Sequence, residues 1–399
     1  MSRGGIVHSS ALAVACCVAT TPGCRFFDES LLSTVDAGPA DAHVPDAPQP
    51  GDAGPSADAD AGPPCDLAHP PPRPPGADDG DDAGELVFVL HHFDFDQADD
   101  RWRAIGWDLD GLCSDPPEPV VECLAPASDV PEIDGERGID NAVGHNLFDL
   151  LIAGFPGLRD DLRTQEWGHG AIVLRIRGWN GLDDDPRVDV TFTQSIVGTP
   201  PLPDGGPPDI SGYELRSGDF PTHPNWDGND WFWVRNSTFI GRDTEQPRIR
   251  MDNAYVADRT LVLDLPDRVP ITFHGTTRSI AVYLTDAVVA GRIAGDLSGF
   301  ESVTVGGRWP VSDMLGTLPQ AGVCVGSTMY RAMEALTDLA ADIRAVPDTG
   351  GDGVVCNAVS VGLGAQGTAG RIAGLVDTHD ELVNGCELMM MDASVPDGG

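Results

Sequence analysis

From Glu85 onward the chain writes the same short pattern again and again, and that repetition limits what it can fold into. LVFVLHHFDFD opens it, with Phe93 and Phe95 alternating against Asp94 and Asp96. GAIVLRIRGW (170–179), RVDVTFTQSIV (187–197), DWFWVRNSTFI (230–240), RTLVLDL (259–265), ITFHG (271–275), SIAVYLTDAVVAGRI (279–293) and ESVTVGGRW (301–309) follow. Period-two runs of this length are half-buried strands, and the Gly, Pro, Asn and Asp clusters between them, such as NGLDDDP and PNWDGND, are turns. Many short strands joined by turns predict a mainly β fold, an antiparallel sandwich or barrel-like body. No fixed-period repeat is present, so a propeller or solenoid is not expected.

Two stretches carry helical spacing instead. HNLFDLLIAGFPGLRDDL (145–162) breaks at Pro156, and TMYRAMEALTDLAADIRAV (328–346) places Met329, Met333, Leu336, Ala340 and Ile343 on one apolar stripe. The expected organisation is a β-rich domain over 85–318 with a small helical, loop-rich cap over 319–399.

Upstream the chemistry changes. Phe26 to Gly84 is built from Pro, Ala, Gly and Asp and has almost no large apolar side chain. Such a segment cannot bury enough surface to offset its ordering entropy, so 25–84 reads as a disordered acidic tether. Between Asp28 and Gly84 stand 13 acids and one arginine, Arg73, or about −12 of the net −39. Lysine is absent, and all 24 basic residues are arginine. So acidic a chain is a poor partner for nucleic acid and anionic surfaces, and a better one for cations. Residues 1–24 read as a secretory signal, with Arg3, a short apolar stretch over 11–19, and small residues ending at Cys24. Thr21-Pro22-Gly23-Cys24 resembles a lipobox, which makes Cys24 the expected lipidation site, with Ala13 to Cys16 as a rival box. Arg25 replaces the aspartate that retains some lipoproteins at the inner membrane. The expected location is therefore the outer membrane or cell surface, with the lipid as the only membrane contact.

Six further cysteines, Cys65, Cys113, Cys123, Cys324, Cys356 and Cys386, suit an exported chain as disulfides, and no C-x-x-C pair points to a metal thiolate. Cys113 and Cys123 flank a proline-rich loop and are the expected local bridge. The other four can pair in three ways.

Several motifs suggest chemistry. Gly362, Gly364 and Gly367 fit G-x-G-x-x-G, but too little chain follows them to build a βαβ unit, so no nucleotide is expected. Ala358-Val359-Ser360-Val361-Gly362 varies the nucleophile elbow. Asp377 and His379, two residues apart, cannot serve as orienter and base of one triad. His92, Asp94 and Asp96 share a strand side, as the polar face of an early strand does. Trp231 and Trp233 would stack a sugar or fill a core, and aromatics of this kind more often fill a core. The acidic glycine clusters point furthest. GWDLDGLCSD holds Asp108, Asp110, Gly111 and Asp115. EIDGERGIDN holds Asp134, Glu136, Asp140 and Asn141. Calcium takes six to eight oxygens from carboxylates, amides and turn carbonyls. Gly106 and Pro117 at the first and last ligand positions exclude an EF-hand. Asp108, Asp110, Asp134, Asp140 and Asn141 are the candidate calcium ligands, against the alternative that they only cap turns.

IGWDLDG, DGERGIDN and the late C-x-A-x-S-x-G-L-G together resemble a group of exported proteins and lipoproteins of myxobacteria and relatives. Gly106, Asp108, Leu109, Asp110 and Gly111 carry the likeness, with Asp134, Gly135, Gly138 to Asn141, Cys356, Ser360 and Gly362 to Gly364. It covers most of the folded part and implies surface location but no activity. The expectation is a tethered binding or structural domain, with a surface ligand or polysaccharide as the candidate partner and no activity assigned. The alternative is a secreted hydrolase that cleaves polysaccharide through paired carboxylates.

Overall fold

β1 (Leu86–His91) shows how the body is built. Phe88 and Leu90 point into one apolar cluster, and Val89, with the partly buried Val87, packs into a second on the opposite face. A strand covered on both sides reads as a continuous apolar run, which LVFVLH is. The computed structural model describes residues 66–76, 84–114, 120–128, 130–148, 167–215, 220–274, 279–351, 353–377 and Cys386. The signal segment, Cys24, Cys65 and most of the expected tether lie outside these residues.

Eight strands close into an antiparallel barrel. β2 (Ile172–Arg177) and β3 (Asp185–Thr199) follow β1. β7 (Arg250–Ala257), β8 (Thr260–Leu265), β11 (Thr285–Ile293), β12 (Gly299–Pro310) and β13 (Ala358–Ala369) complete the ring. β13 pairs with β1, and β3 pairs with β7, so neither end of the series keeps a free edge. Closure removes the unpaired N–H and C=O rows that an open sheet exposes. The interior is filled by Phe88, Leu90, Ile172, Leu174, Val190, Phe192, Leu261, Leu263, Val289, Val305 and Val361. The body is a barrel, and the sandwich alternative is not what forms.

The second half of β3 leaves the ring after Ser195 and pairs with β4 (Trp231–Arg235), which pairs in parallel with β14 (Arg371–Val376). This flap covers the outer face of β1 and β2, where Val89, Ala171, Val173, Phe232 and Val234 meet. Two small hairpins complete the strands: β5 (Phe239–Ile240) with β6 (Asp243–Pro247), and β9 (Pro270–His274) with β10 (Ser279–Tyr283). Two α-helices are described, α1 (Val311–Thr317) and α2 (Thr328–Ala340), the latter capped by Ser327, whose hydroxyl accepts from the Tyr330 N–H at 3.1 Å. α2 buries Met333, Thr337 and Ala340, while Met329 stays 42 % exposed. Among the described residues no helix is long and apolar enough to cross a membrane.

Four expectations change. The boundary at 318/319 does not hold, because β13 is a barrel strand; GLGAQGTAG disguises it with glycines that contribute no apolar side chain. Cys123 bonds Cys356 and Cys324 bonds Cys386, so Cys113 and Cys123 are not partners. Cys113 is disulfide-bonded as well. Sequence proximity favours a local bridge, but the Leu124–Val355 bridge brings the distant pair to 5.2 Å between Cα atoms. Residues 66–76, assigned to the tether, lie on the barrel: Ala68 is 4 % exposed, and Arg73 donates to the Pro186 carbonyl at 2.5 Å. Prolines that cannot make a core can still dock by their carbonyls. The helix expected over 145–162 is a π-helical turn at Val143–Leu147, and 149–166 lie outside the described residues.

Candidate metal centre

The long connection from β1 to β2 folds back over the end of the barrel, and Asn141 is its pin. The Asn141 amide donates to Gln97 Oε1 at 2.7 Å and to the carbonyls of Ile105 at 2.8 Å and Trp102 at 3.3 Å. Its oxygen accepts from the N–H groups of Gly362 at 2.9 Å and Gly144 at 3.0 Å. Gly362 makes the approach possible, since a Cβ there would stand 2.0 Å from the Ile105 carbonyl oxygen. Asn141 thus holds the loop to β13, and both its amide nitrogen and its oxygen are engaged in that contact. Nor is the glycine run a nucleotide loop: Gly362, Gly364 and Gly367 are strand residues of β13.

Beside this pin the two acidic clusters meet. The Trp107–Asp140 bridge pairs one loop with the other, with the Asp140 N–H donating to the Trp107 carbonyl at 3.0 Å. The Leu109 N–H in turn donates to Asp140 Oδ2 at 2.6 Å. Asp108, Asp110 and Asp140 then each offer one oxygen, all within 4.8 Å of one another. Asp108 Oδ1 accepts from the Gly111 N–H and Asp110 Oδ1 from the Leu112 N–H, each at 2.8 Å. The Asp108 side chain is fully enclosed. Its Oδ2 lies 3.2 Å from His69 Nε2 without hydrogen-bond geometry, and makes no other hydrogen bond.

A small cavity beside the three is lined by Asp110, Asp140, Asp134, Glu132 and Asp342. Asp134 accepts from the Ser114 N–H at 2.6 Å and stands outside the group of three. Asp342, at the end of α2, accepts from the Ser360 N–H at 2.8 Å and from its hydroxyl at 2.5 Å. Arg308, whose charge acts on Asp110, is committed to Glu122 Oε2 at 2.9 Å, to the Arg344 carbonyl at 2.8 Å and to the Leu109 carbonyl.

So many carboxyls in one place oppose ionisation. Burial pushes Asp140 well above the usual carboxylate range, and the charges of Asp110, Asp134 and Asp342 add to it. Burial takes Asp110 up to about 6 against the Leu112 N–H, with Asp108 and Glu122 adding to the rise. Asp342 is pushed up to about 8 by burial, against its bonds to Ser360. Asp108 rises by burial, opposed by the Gly111 N–H and by His69. A divalent cation would stabilise the ionised form of such a group, and the all-oxygen donor set suits a hard ion. Asp108, Asp110 and Asp140 fit that role. Glu132 and Asp342 escaped sequence reading because isolated acids carry no motif.

Among the described residues, the other candidate side chains are engaged in packing and local hydrogen bonds. Ser360 is wholly buried and holds Asp342 and the Ala142 N–H. Asp377 contacts Asn236 and Arg242, and His379 lies outside the described residues. β1 ends at His91, because His92 has φ +49°, and His91 stacks on Trp226 at 3.7 Å between ring centroids. Burial and the neighbouring His92 hold His91 at about 3. Trp233 is core, with Val197, Ile210 and Phe220, and Trp231 donates to the Gly205 carbonyl at 3.1 Å. No protein-family model, curated protein or solved structure matches the chain.

Proposed function

We propose that this is an exported, lipid-anchored surface protein whose barrel is a binding or structural module, with the loop end of the barrel locked by a divalent cation, calcium. The observation that carries the cation is the convergence of Asp108, Asp110 and Asp140 from two loops some 30 residues apart, with the Asp108 side chain enclosed. Three carboxylates supply half the oxygens calcium takes, and water or turn carbonyls complete the sphere. We read α1 and α2, with the Cys324–Cys386 bridge, as the small cap on the barrel. Export and anchoring rest on the Arg3-to-Cys24 pattern, and disulfides fit the same compartment. The hydrolase alternative has less support, since neither Trp231 nor Trp233 lines the acidic cavity.

Thermal unfolding in millimolar calcium and in chelator tests the lock. An ion present at a hundredfold its dissociation constant adds about 2.7 kcal/mol. For a domain of this size that raises the midpoint by about 2–4 °C. Asp110→Ala should abolish the rise, and an unshifted midpoint in the wild type would sink the reading.

A further inference from the structure

The proline-rich segment before the barrel touches both acidic loops. The Ala68 N–H donates to the Arg137 carbonyl at 2.8 Å, and the Ala68 carbonyl accepts from the Asp108 N–H at 2.9 Å. Arg137 returns the contact, donating to the carbonyls of Asp66 at 3.0 Å and Leu67 at 3.1 Å. One residue of this segment therefore staples the loop of Asp108 to the loop of Asp134 and Asp140. Farther along, the segment is clamped to the barrel wall. The Tyr255 hydroxyl donates to the Pro71 carbonyl at 2.8 Å, and the Arg73 guanidinium lies 4.5 Å over the Tyr255 ring. Arg73 also donates to the carbonyls of Pro186 and Asn253.

We propose that residues 66–76 are a latch whose docking is linked to cation loading at Asp108, Asp110 and Asp140, a proposal that rests on the cation reading above. The physical reason is shared geometry. The three carboxylates ligate one ion only while their loops keep their spacing, and the staple at Ala68 fixes that spacing. A cation that binds the stapled form better must raise the docked population, and docking must raise cation affinity by the same factor.

The test uses the full chain at pH 8, where an ordinary imidazole carries no charge. Amide exchange at Ala68 is read with calcium and with chelator, and calcium affinity is measured by calorimetry in the wild type, Arg73→Ala and Tyr255→Phe. Neither substitution touches the acidic loops, and Tyr255→Phe keeps the ring. Calcium should slow Ala68 exchange about tenfold, and a variant that undocks the segment should weaken calcium binding by up to that same factor, about 5- to 10-fold for Arg73→Ala. Calcium bound with the same affinity in all three proteins, with Ala68 exchange unmoved, overturns the latch alone. No calcium binding in the wild type overturns the cation reading and the latch with it.

Discussion

Two kinds of acidic, glycine-rich turn sit in this molecule, and their compositions barely differ. In NGLDDDP, Asp185 is wholly buried and accepts from the Asn180 N–H at 2.8 Å and the Arg187 N–H at 3.0 Å. In PNWDGND, Asp230 likewise accepts from the N–H groups of Trp226 at 2.6 Å and Asn225 at 3.0 Å. Each of these carboxylates is wrapped by the backbone of its own turn, and its work is finished there. Asp108, Asp110 and Asp140 are different. Each accepts one described backbone N–H and then faces the other two. Acid and glycine content marks a turn; only convergence of separate turns marks a site.

The largest effect expected from this contrast falls on the self-satisfied turn. Asp185→Ala leaves the Asn180 and Arg187 N–H groups without an acceptor, which costs about 3 kcal/mol whether or not calcium is present. Urea unfolding reads it, and a loss below about 1 kcal/mol would mean that these amides find water and that the two turn types are alike. Asp140→Asn should go the other way. The amide oxygen can still accept from Leu109, and removing one buried carboxyl relieves repulsion, so the chelated protein gains about 1 kcal/mol while the calcium response disappears. Destabilisation in chelator would place Asp140 with Asp185 instead.

The pH dependence separates the cluster from the histidines. His91 and His169 stand at about 3 in the fold against 6.5 when free, both through burial. Their contribution is present above pH 6.5 and is lost as pH falls towards 3. Asp110, at about 6, and Asp342, at about 8, are shifted upward. Their contribution is complete below about pH 4 and is lost as pH rises through 6 and 8. In chelator the melting temperature should therefore decline on both sides. Calcium, which binds ionised carboxylates, should lift the alkaline side by more than the acid side. Equal increments at pH 5 and pH 8 would separate the calcium effect from the cluster.

Much of the barrel was legible residue by residue. Among the described strands, β1, β2, β3, β4, β8, β9, β11 and β12 each overlap a run read by its period-two pattern, and β5 and β10 share the runs of β4 and β11. β7 and β13 were missed for local reasons. MDNAYVA alternates weakly, and the glycines of β13 serve the approach of Ile105, Asn141 and Phe300, for which a Cβ would leave no room. The candidate ligands were half legible. Asp108, Asp110 and Asp140 stood out as turn acids, and so did Asn141, whose role is to pin the loop.

Strand pattern, turn chemistry and the acidic character of the loops are properties of neighbouring residues, so the sequence alone determined a mainly β body with acidic loops. Closure of the ring through β3 and β7, the pairing of Cys123 with Cys356, the docking of Ala68 and the meeting of Asp140 with Asp108 were decided by tertiary structure. Each joins residues far apart in the chain, and such contacts form only when the whole barrel brings the two partners within hydrogen-bond or bonding distance.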